Sequence, residues 1–200
     1  GKCSRPLLLS IILIVGLFLL ATGALAAQGE PSNPLESGEL QGEAQQMSFS
    51  KRVIDNKVYQ THVAVPADLD GDGDLDVVST NYKYHAVYWH QNNGNNTFTR
   101  QVLDSSLKGA YPASVGDIDR DGDIDVMAAG YLADTFVWYV NNGRGSFTRR
   151  TIDTNANGAH SIVMGDVDGD RDNDFVTSSQ DANTIAWYEN DGANRFQKRV

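Results

Sequence analysis

The stretch ADLDGDGDLDVVS, residues 67–79, places aspartate on five alternate positions: Asp68, Asp70, Asp72, Asp74 and Asp76. Carboxylates this close repel, by about 3 kcal/mol per pair at ~5 Å and an effective dielectric of ~20, so the pattern calls for a neutralising cation. The stretch returns as GDIDRDGDIDVMA from Gly116 and as GDVDGDRDNDFVT from Gly165, which sets the leading aspartates Asp68, Asp117 and Asp166 at a step of 49 residues. Other landmarks keep that step: Phe49, Phe98, Phe147 and Phe196; Trp89, Trp138 and Trp187; Gly94, Gly143 and Gly192; His62, Tyr111 and His160. An internal repeat therefore governs the architecture.

One period holds four short β-rich runs separated by turn residues, and no segment shows helical spacing. A small, apolar run enters the aspartate loop at residues 61–67, DVVST resumes at Asp76, HAVYWHQ follows from His85, and TFTRQVL begins at Thr97 after an Asn-Asn-Gly turn. Asn-Gly pairs favour the positive φ of tight hairpins. Four strands per ~50 residues fit a β-propeller blade better than a solenoid coil. The expected fold is all-β, a partial propeller with blades at 61–103, 110–152 and 159–200. Residues 49–54, FSKRVI, form an orphan outer strand without a blade of its own. Propellers need ~4 to 8 blades to close, so further repeats of the same chain are expected. The Trp of the third strand and the Phe of the fourth read as core between blades.

The first 27 residues form a separate element. Lys2 and Arg5 precede an apolar run at 7–20, and Ala24 and Ala26 flank Leu25 in the small-x-small pattern of a signal-peptide cleavage site. Residues 1–27 thus read as a signal peptide cut after Ala26, and the protein as secreted. The competing reading is a retained anchor, since 7–27 offers ~20 apolar residues. Without this segment the chain loses its one cysteine, Cys3, and carries 14 basic against 26 acidic residues, a net charge of −12. No disulfide can form, the mature form has no membrane span, and the absence of a basic stripe excludes nucleic acid as partner. Residues 28–48 are rich in Pro, Gly, Ser, Glu and Gln and read as a disordered linker to the domain at 49–200.

Fifteen of the 26 acidic residues lie in the three loops, so the acidity is local. Calcium takes six to eight oxygen ligands, and alternate carboxylates around a tight turn can supply them. Asp68, Asp70, Asp72 and Asp76 stand at loop positions 1, 3, 5 and 9, with Gly73 permitting the turn and Asp74 offering its backbone carbonyl. Asp117, Asp119, Asp121 and Asp125 repeat this with Gly122 and Asp123. In the third loop Arg171 replaces the glycine and Asn173 an apolar residue, so Asp166, Asp168, Asp170, Asp172 and Asp174 are expected to bind weakly or not at all. An EF-hand fails at position 12, which needs Glu and holds Ser79, Ala128 or Thr177.

The loop D-x-D-x-D-G-D-x-D followed by an apolar strand, at this period, resembles the FG-GAP or VCBS-type repeat of integrin α-subunit propellers and of secreted bacterial proteins. The resemblance covers residues 49–200, and WYENDG and FTRRTID bring it closest to the bacterial members. The Phe-Gly and Gly-Ala-Pro words that name the repeat are not present. The resemblance implies a calcium-stabilised propeller working outside the cell in adhesion, with the loop aspartates as ligands.

Two functions follow. The first is a non-enzymatic module binding an extracellular glycan or protein, consistent with the lack of a nucleophile elbow, zinc motif or phosphate loop. The second is a carbohydrate-active enzyme such as a polysaccharide lyase, for which His62, Tyr111 and His160, at one repeat position, are the acid and base candidates. At that repeat position a packing role is favoured over catalysis, so no catalytic residue is assigned. Tyr82, Tyr84 and Tyr131 are candidate platforms for a sugar between blades. His85 and His90 read as turn and strand surface residues, and Asn95-Asn96-Thr97 is a sequon in a hairpin.

Overall fold

A computed structural model describes residues 48–200. The leader at 1–27 and the linker, apart from Ser48, lie outside the described residues. The rest is all-β: twelve strands in three four-stranded antiparallel sheets. The first sheet runs β1 (Thr61–Ala67), β2 (Asp76–Asn81), β3 (Ala86–Asn92), β4 (Phe98–Asp104). The second runs β5 (Ala110–Gly116), β6 (Asp125–Gly130), β7 (Thr135–Asn141), β8 (Phe147–Asp153), with a 3-10 turn at Tyr131–Ala133. The third runs β9 (Ala159–Gly165), β10 (Asp174–Ser179), β11 (Thr184–Asn190), β12 (Phe196–Arg199). Each first strand neighbours the next, β5 lying between β1 and β9, so the sheets radiate as propeller blades. Among the described residues, no helix is long and apolar enough to cross a membrane.

Burial explains the composition of each strand. β6 (DVMAAG) is buried along its whole length between neighbouring sheets, whereas the outermost β4 and β8 alternate little and are mostly exposed. One core cluster joins Leu69, Val78, Val87 and Trp89 of the first blade to Leu107, Ala113, Val126 and Tyr139 of the second. Its repeat equivalent joins Ile118, Met127, Phe136 and Trp138 to Ala156, Ile162, Phe175 and Tyr188. Trp89 meets Phe147 edge-on and Trp138 meets Phe196 likewise, each with ring centroids 6.0 Å apart. The edge of the Trp89 indole also lies against Gly145, where a Cβ would collide with it, so that close approach requires glycine. The third blade shows what the stacking does: Val87 and Phe136 are fully buried, but their equivalent Ile185 is 75% exposed, because among the described residues no blade covers it.

Polar latches tie each blade to the next. The Tyr139 hydroxyl donates to Asp104 Oδ2 at 2.7 Å, and Arg149 Nε donates to the same oxygen at 3.1 Å. The step of 49 recurs: Tyr188 donates to Asp153, which also receives Lys198 Nζ at 3.0 Å. Burial alone would raise Asp104, but the Ser106 and Tyr139 hydroxyls, the Ser106 amide and the Arg149 charge together hold its pKa below the ordinary value. Burial, and then Asp104, push the Tyr139 hydroxyl up, so it stays a donor. A second latch runs from His85 Nδ1, which accepts the Gly109 amide at 3.0 Å, to its equivalent Asp134, which accepts that of Gly158 at 2.8 Å. His85 is therefore a blade connector and not a plain turn residue.

Residues 49–54 join no ladder, in keeping with an outer strand that has no blade of its own; the outer edges of β3, β7 and β11 are taken by β4, β8 and β12. Yet Asp55 docks where its equivalents dock: it receives Arg100 Nη1 at 3.0 Å and faces His90 Nδ1 at 3.9 Å, the positions of Arg149 and Tyr139. The segment occupies the place of a fourth strand without pairing as one. His90 is buried, its Nε2 2.9 Å from Ser79 Oγ, and so serves this contact instead of the surface.

The latch gives a direct expectation. Tyr139→Phe removes one hydrogen bond to a buried carboxylate and lowers unfolding free energy by about 2 kcal/mol, measured by urea melts. Tyr88→Phe, on a half-buried ring beside Arg100, changes stability by less than about 0.5 kcal/mol.

Candidate functional site

The three aspartate loops join the first strand of each blade to its second, and their shape follows from carboxylates accepting backbone amides. Asp68 accepts Gly71 at Oδ1 (2.9 Å) and Gly73 at Oδ2 (3.0 Å), and Asp72 accepts Asp74 (2.9 Å). In the second loop Asp117 accepts Gly122 (3.1 Å) and Asp121 accepts Asp123 (3.0 Å). In the third Asp166 accepts Gly169 (2.7 Å) and Arg171 (3.1 Å). Arg171 holds φ +78°, close to the +91° and +96° of Gly73 and Gly122, so the loop keeps its turn despite the lost glycine. Such a φ is strained for arginine.

Each loop brings three carboxylates within metal-holding distance, with one oxygen from each lying within 4.8 Å of the others. The sets are Asp68, Asp70 and Asp72; Asp117, Asp119 and Asp121; and Asp166, Asp168 and Asp174. The first two match loop positions 1, 3 and 5. Asp76 and Asp125 are fully buried and anchor the loops: Asp76 accepts Leu69 (3.2 Å) and Asn92 (2.7 Å), and Asp125 accepts Ile118 (3.2 Å) and Asn141 (2.7 Å). Asp74, Asp123 and Asp172 turn their carboxylates against Gly94, Gly143 and Gly192 of the third-to-fourth-strand hairpins, which leaves no room there for a side chain.

What separates the loops is satisfaction. Asp70 Oδ1, Asp117 Oδ1 and Asp119 Oδ1 are buried without a hydrogen-bond partner. A buried anionic oxygen with no donor is costly, and a cation offsets that cost. Asp166 and Asp168 are exposed, and a staple from the second loop occupies the third: Arg120 pairs with Asp172 and donates to the Arg171 carbonyl at 3.0 Å. The donor set fits a hard divalent cation, with carboxylate oxygens only and preformed turns. Burial, followed by the opposing Asn92 amide, leaves Asp76 raised; burial and the Asp121 charge raise Asp119; and burial pushes Asp125 up to about 6.

Residues 68–128 and 117–177 match the FG-GAP-like repeat family, so that the matched segments run from aspartate loop to aspartate loop over more than half of the chain. The chain belongs to the FG-GAP-like repeat family. No curated protein matches it. Among solved structures it is similar to a lectin of Agrocybe aegerita, described for specific recognition of non-reducing terminal N-acetylglucosamine, at 20% identity and a TM-score of 0.49. That likeness covers 72% of this chain and 39% of the lectin chain, so the FG-GAP chain spans well under half the length of the lectin.

The FG-GAP repeat builds a second feature at the opposite ends of the inner strands. His62, Tyr111 and His160 fall where β1, β5 and β9 slip register against their partners, and such bulges re-aim side chains. Their rings form one row, with His62–Tyr111 centroids 4.5 Å apart and Tyr111–His160 4.6 Å apart. Tyr82 and Tyr131, just past β2 and β6, pack over that row at 6.4 and 6.3 Å from Tyr111. With Gln60 and Gln180 these rings line a cavity of about 470 Å³. Tyr84 is elsewhere, edge-on to Tyr59 at 6.3 Å and outside the cavity. The glutamines carried no motif, although Gln60 stands at the step of Gly109 and Gly158, which was the available signal.

The raised aspartates set a pH dependence in the metal-free protein. A carboxyl raised on folding gives the folded form extra protons between the ordinary 3.8 and about 6, so stability rises as pH falls through that window. In chelator, melting temperature is expected to rise from pH ~7 to pH ~5 relative to Asp125→Asn, in which this contribution is absent. The comparison cancels the opposing effect of buried His90, whose pKa is lowered chiefly by burial in both proteins.

Proposed function

We propose that this chain is a secreted, calcium-stabilised propeller module that binds an extracellular glycan or protein. The observation that carries the metal reading is the set of buried, unpartnered oxygens on Asp70, Asp117 and Asp119. Asp68, Asp70 and Asp72 would hold one ion, and Asp117, Asp119 and Asp121 another, with Asp74 and Asp123 adding backbone carbonyls. Asp76 and Asp125 would complete the charge from the anchoring position. Asp166, Asp168, Asp170, Asp172 and Asp174 form the weakest site, because Arg120 already neutralises part of that loop. The bound ion supplies charge neutralisation that lets the loop ends stay folded, and the FG-GAP frame then presents the aromatic cavity. Calcium sites of extracellular modules suit millimolar calcium, in keeping with the leader read at 1–27.

The open face of the third blade, where Ile185 is exposed, fits a further repeat of the same kind, since its equivalents Val87 and Phe136 are covered by the following blade. A second reading, a polysaccharide lyase, draws on the alignment of His62, Tyr111 and His160 in one row. An assay for unsaturated sugar release separates the two: the module reading expects none, alongside binding on a glycan and protein array.

For the ion, calcium is expected to raise the melting temperature and chelator to lower it. Two sites at 100 times Kd add about 5 kcal/mol. Asp70→Ala or Asp119→Ala removes most of one site's contribution and Asp168→Ala removes less; identical melting curves with and without calcium contradict the reading.

A further inference from the structure

We propose that the aromatic cavity at the inner-strand ends is a binding site for a neutral saccharide, and that Gln60 is held in a left-handed conformation to present its amide to that ligand. The inference rests on the binding-module reading and names its ligand class and residues.

The strongest observation is the backbone at Gln60. Its φ of +52° falls in the left-handed region, and its repeat equivalents are Gly109 (φ +63°) and Gly158 (φ +68°). The turn is the same in all three blades, because the carbonyls of residues 60, 109 and 158 accept the amides of Tyr82, Tyr131 and Gln180. Glycine meets the demands of that turn without strain, as two blades show, whereas a glutamine there is disfavoured. The side chain thus adds nothing that the turn needs. It lines the cavity instead, and strain retained at a cavity wall is a mark of a functional position.

The rest of the lining selects the ligand. Tyr82 and Tyr131 offer aromatic surface against which the C–H face of a pyranose can stack, backed by Tyr111, whose ring is held between His62 and His160. Gln60 and Gln180 belong to the wall, and a carboxamide is able to donate to one hydroxyl and accept from another. No side chain of the lining carries a fixed charge; Asp181, outside the lining, accepts the Tyr131 hydroxyl at 3.0 and 3.2 Å. Apolar faces with a few convergent neutral donors and acceptors, in a cavity of about 470 Å³, fit an uncharged, polyhydroxylated ligand. Three blades contribute, so the site exists only in the assembled repeat array.

The test titrates the full chain, in calcium buffer, with the methyl glycosides of glucose, galactose, mannose and N-acetylglucosamine, and with tetramethylammonium as a cation probe. At least one glycoside is expected to bind and to shift the imidazole signals of His62 and His160. Tyr82→Ala is expected to weaken that binding about tenfold. Gln60→Gly is expected to weaken it severalfold while leaving the melting temperature at or above that of the parent. Failure of every glycoside to bind overturns the proposal, as does binding that both variants leave unchanged. Tetramethylammonium binding that Tyr82→Ala abolishes, with no glycoside bound, also overturns it in favour of a cation cage. The calcium melting shift is read separately, so each of these failures leaves the module reading standing or falling by itself.

Discussion

Mutual repulsion of clustered carboxylates is the constraint on which this fold turns. Each loop gathers like charges because the repeat needs a sharp connection between its first and second strands, and carboxylates that accept successive amides make one. The buried aspartate that follows each loop completes the connection. Asp76 and Asp125 each bond an amide of their own loop and another at the end of the third strand, so one side chain fixes three segments of a blade. The geometry that shapes the turn also leaves oxygens on Asp70, Asp117 and Asp119 with no donor. Turn formation and the capacity to hold a cation are thus two consequences of one arrangement.

The blades then join through a small set of repeated contacts. An apolar face of each of the first two blades, with tryptophan at its centre, is covered by the next, and a carboxylate at the end of the fourth strand receives a hydroxyl and a cation from that next blade. The Asp55 contact shows that this latch works without ladder pairing. Stability in such an array is nearly a sum of neighbour terms. The cavity of about 470 Å³ lies at the other end of the inner strands, away from the loops.

Much of this was legible in the sequence, because a 49-residue period and a ligand-like aspartate pattern are local signals. The all-β character, four-stranded sheets and buried Trp89 and Trp138 follow from alternation, turn residues and repetition. Less legible were features that depend on who already has a partner. Residues 49–54 read as an orphan outer strand, but the docking of Asp55 against Arg100 and His90 was not legible. Asp76 and Asp125 read as ligands by spacing; that they are also buried anchors of the loop depends on packing that spacing does not carry. His85 read as a turn residue, but its nitrogen caps an amide of the following blade. The cavity was visible as the shared repeat position of His62, Tyr111 and His160 and in the platform tyrosines Tyr82 and Tyr131, but not as one site. Its bulges and the left-handed Gln60 arise from register and backbone geometry, which a one-letter pattern does not carry.

Whether the unpartnered carboxylates of the first two loops take up a cation is read by equilibrium calcium titration in a calorimeter. Two sites of similar affinity are expected, lost one at a time in Asp70→Ala and Asp119→Ala, with a third that is much weaker. No binding at millimolar calcium, or three equal sites despite the Arg120 staple, would contradict that expectation.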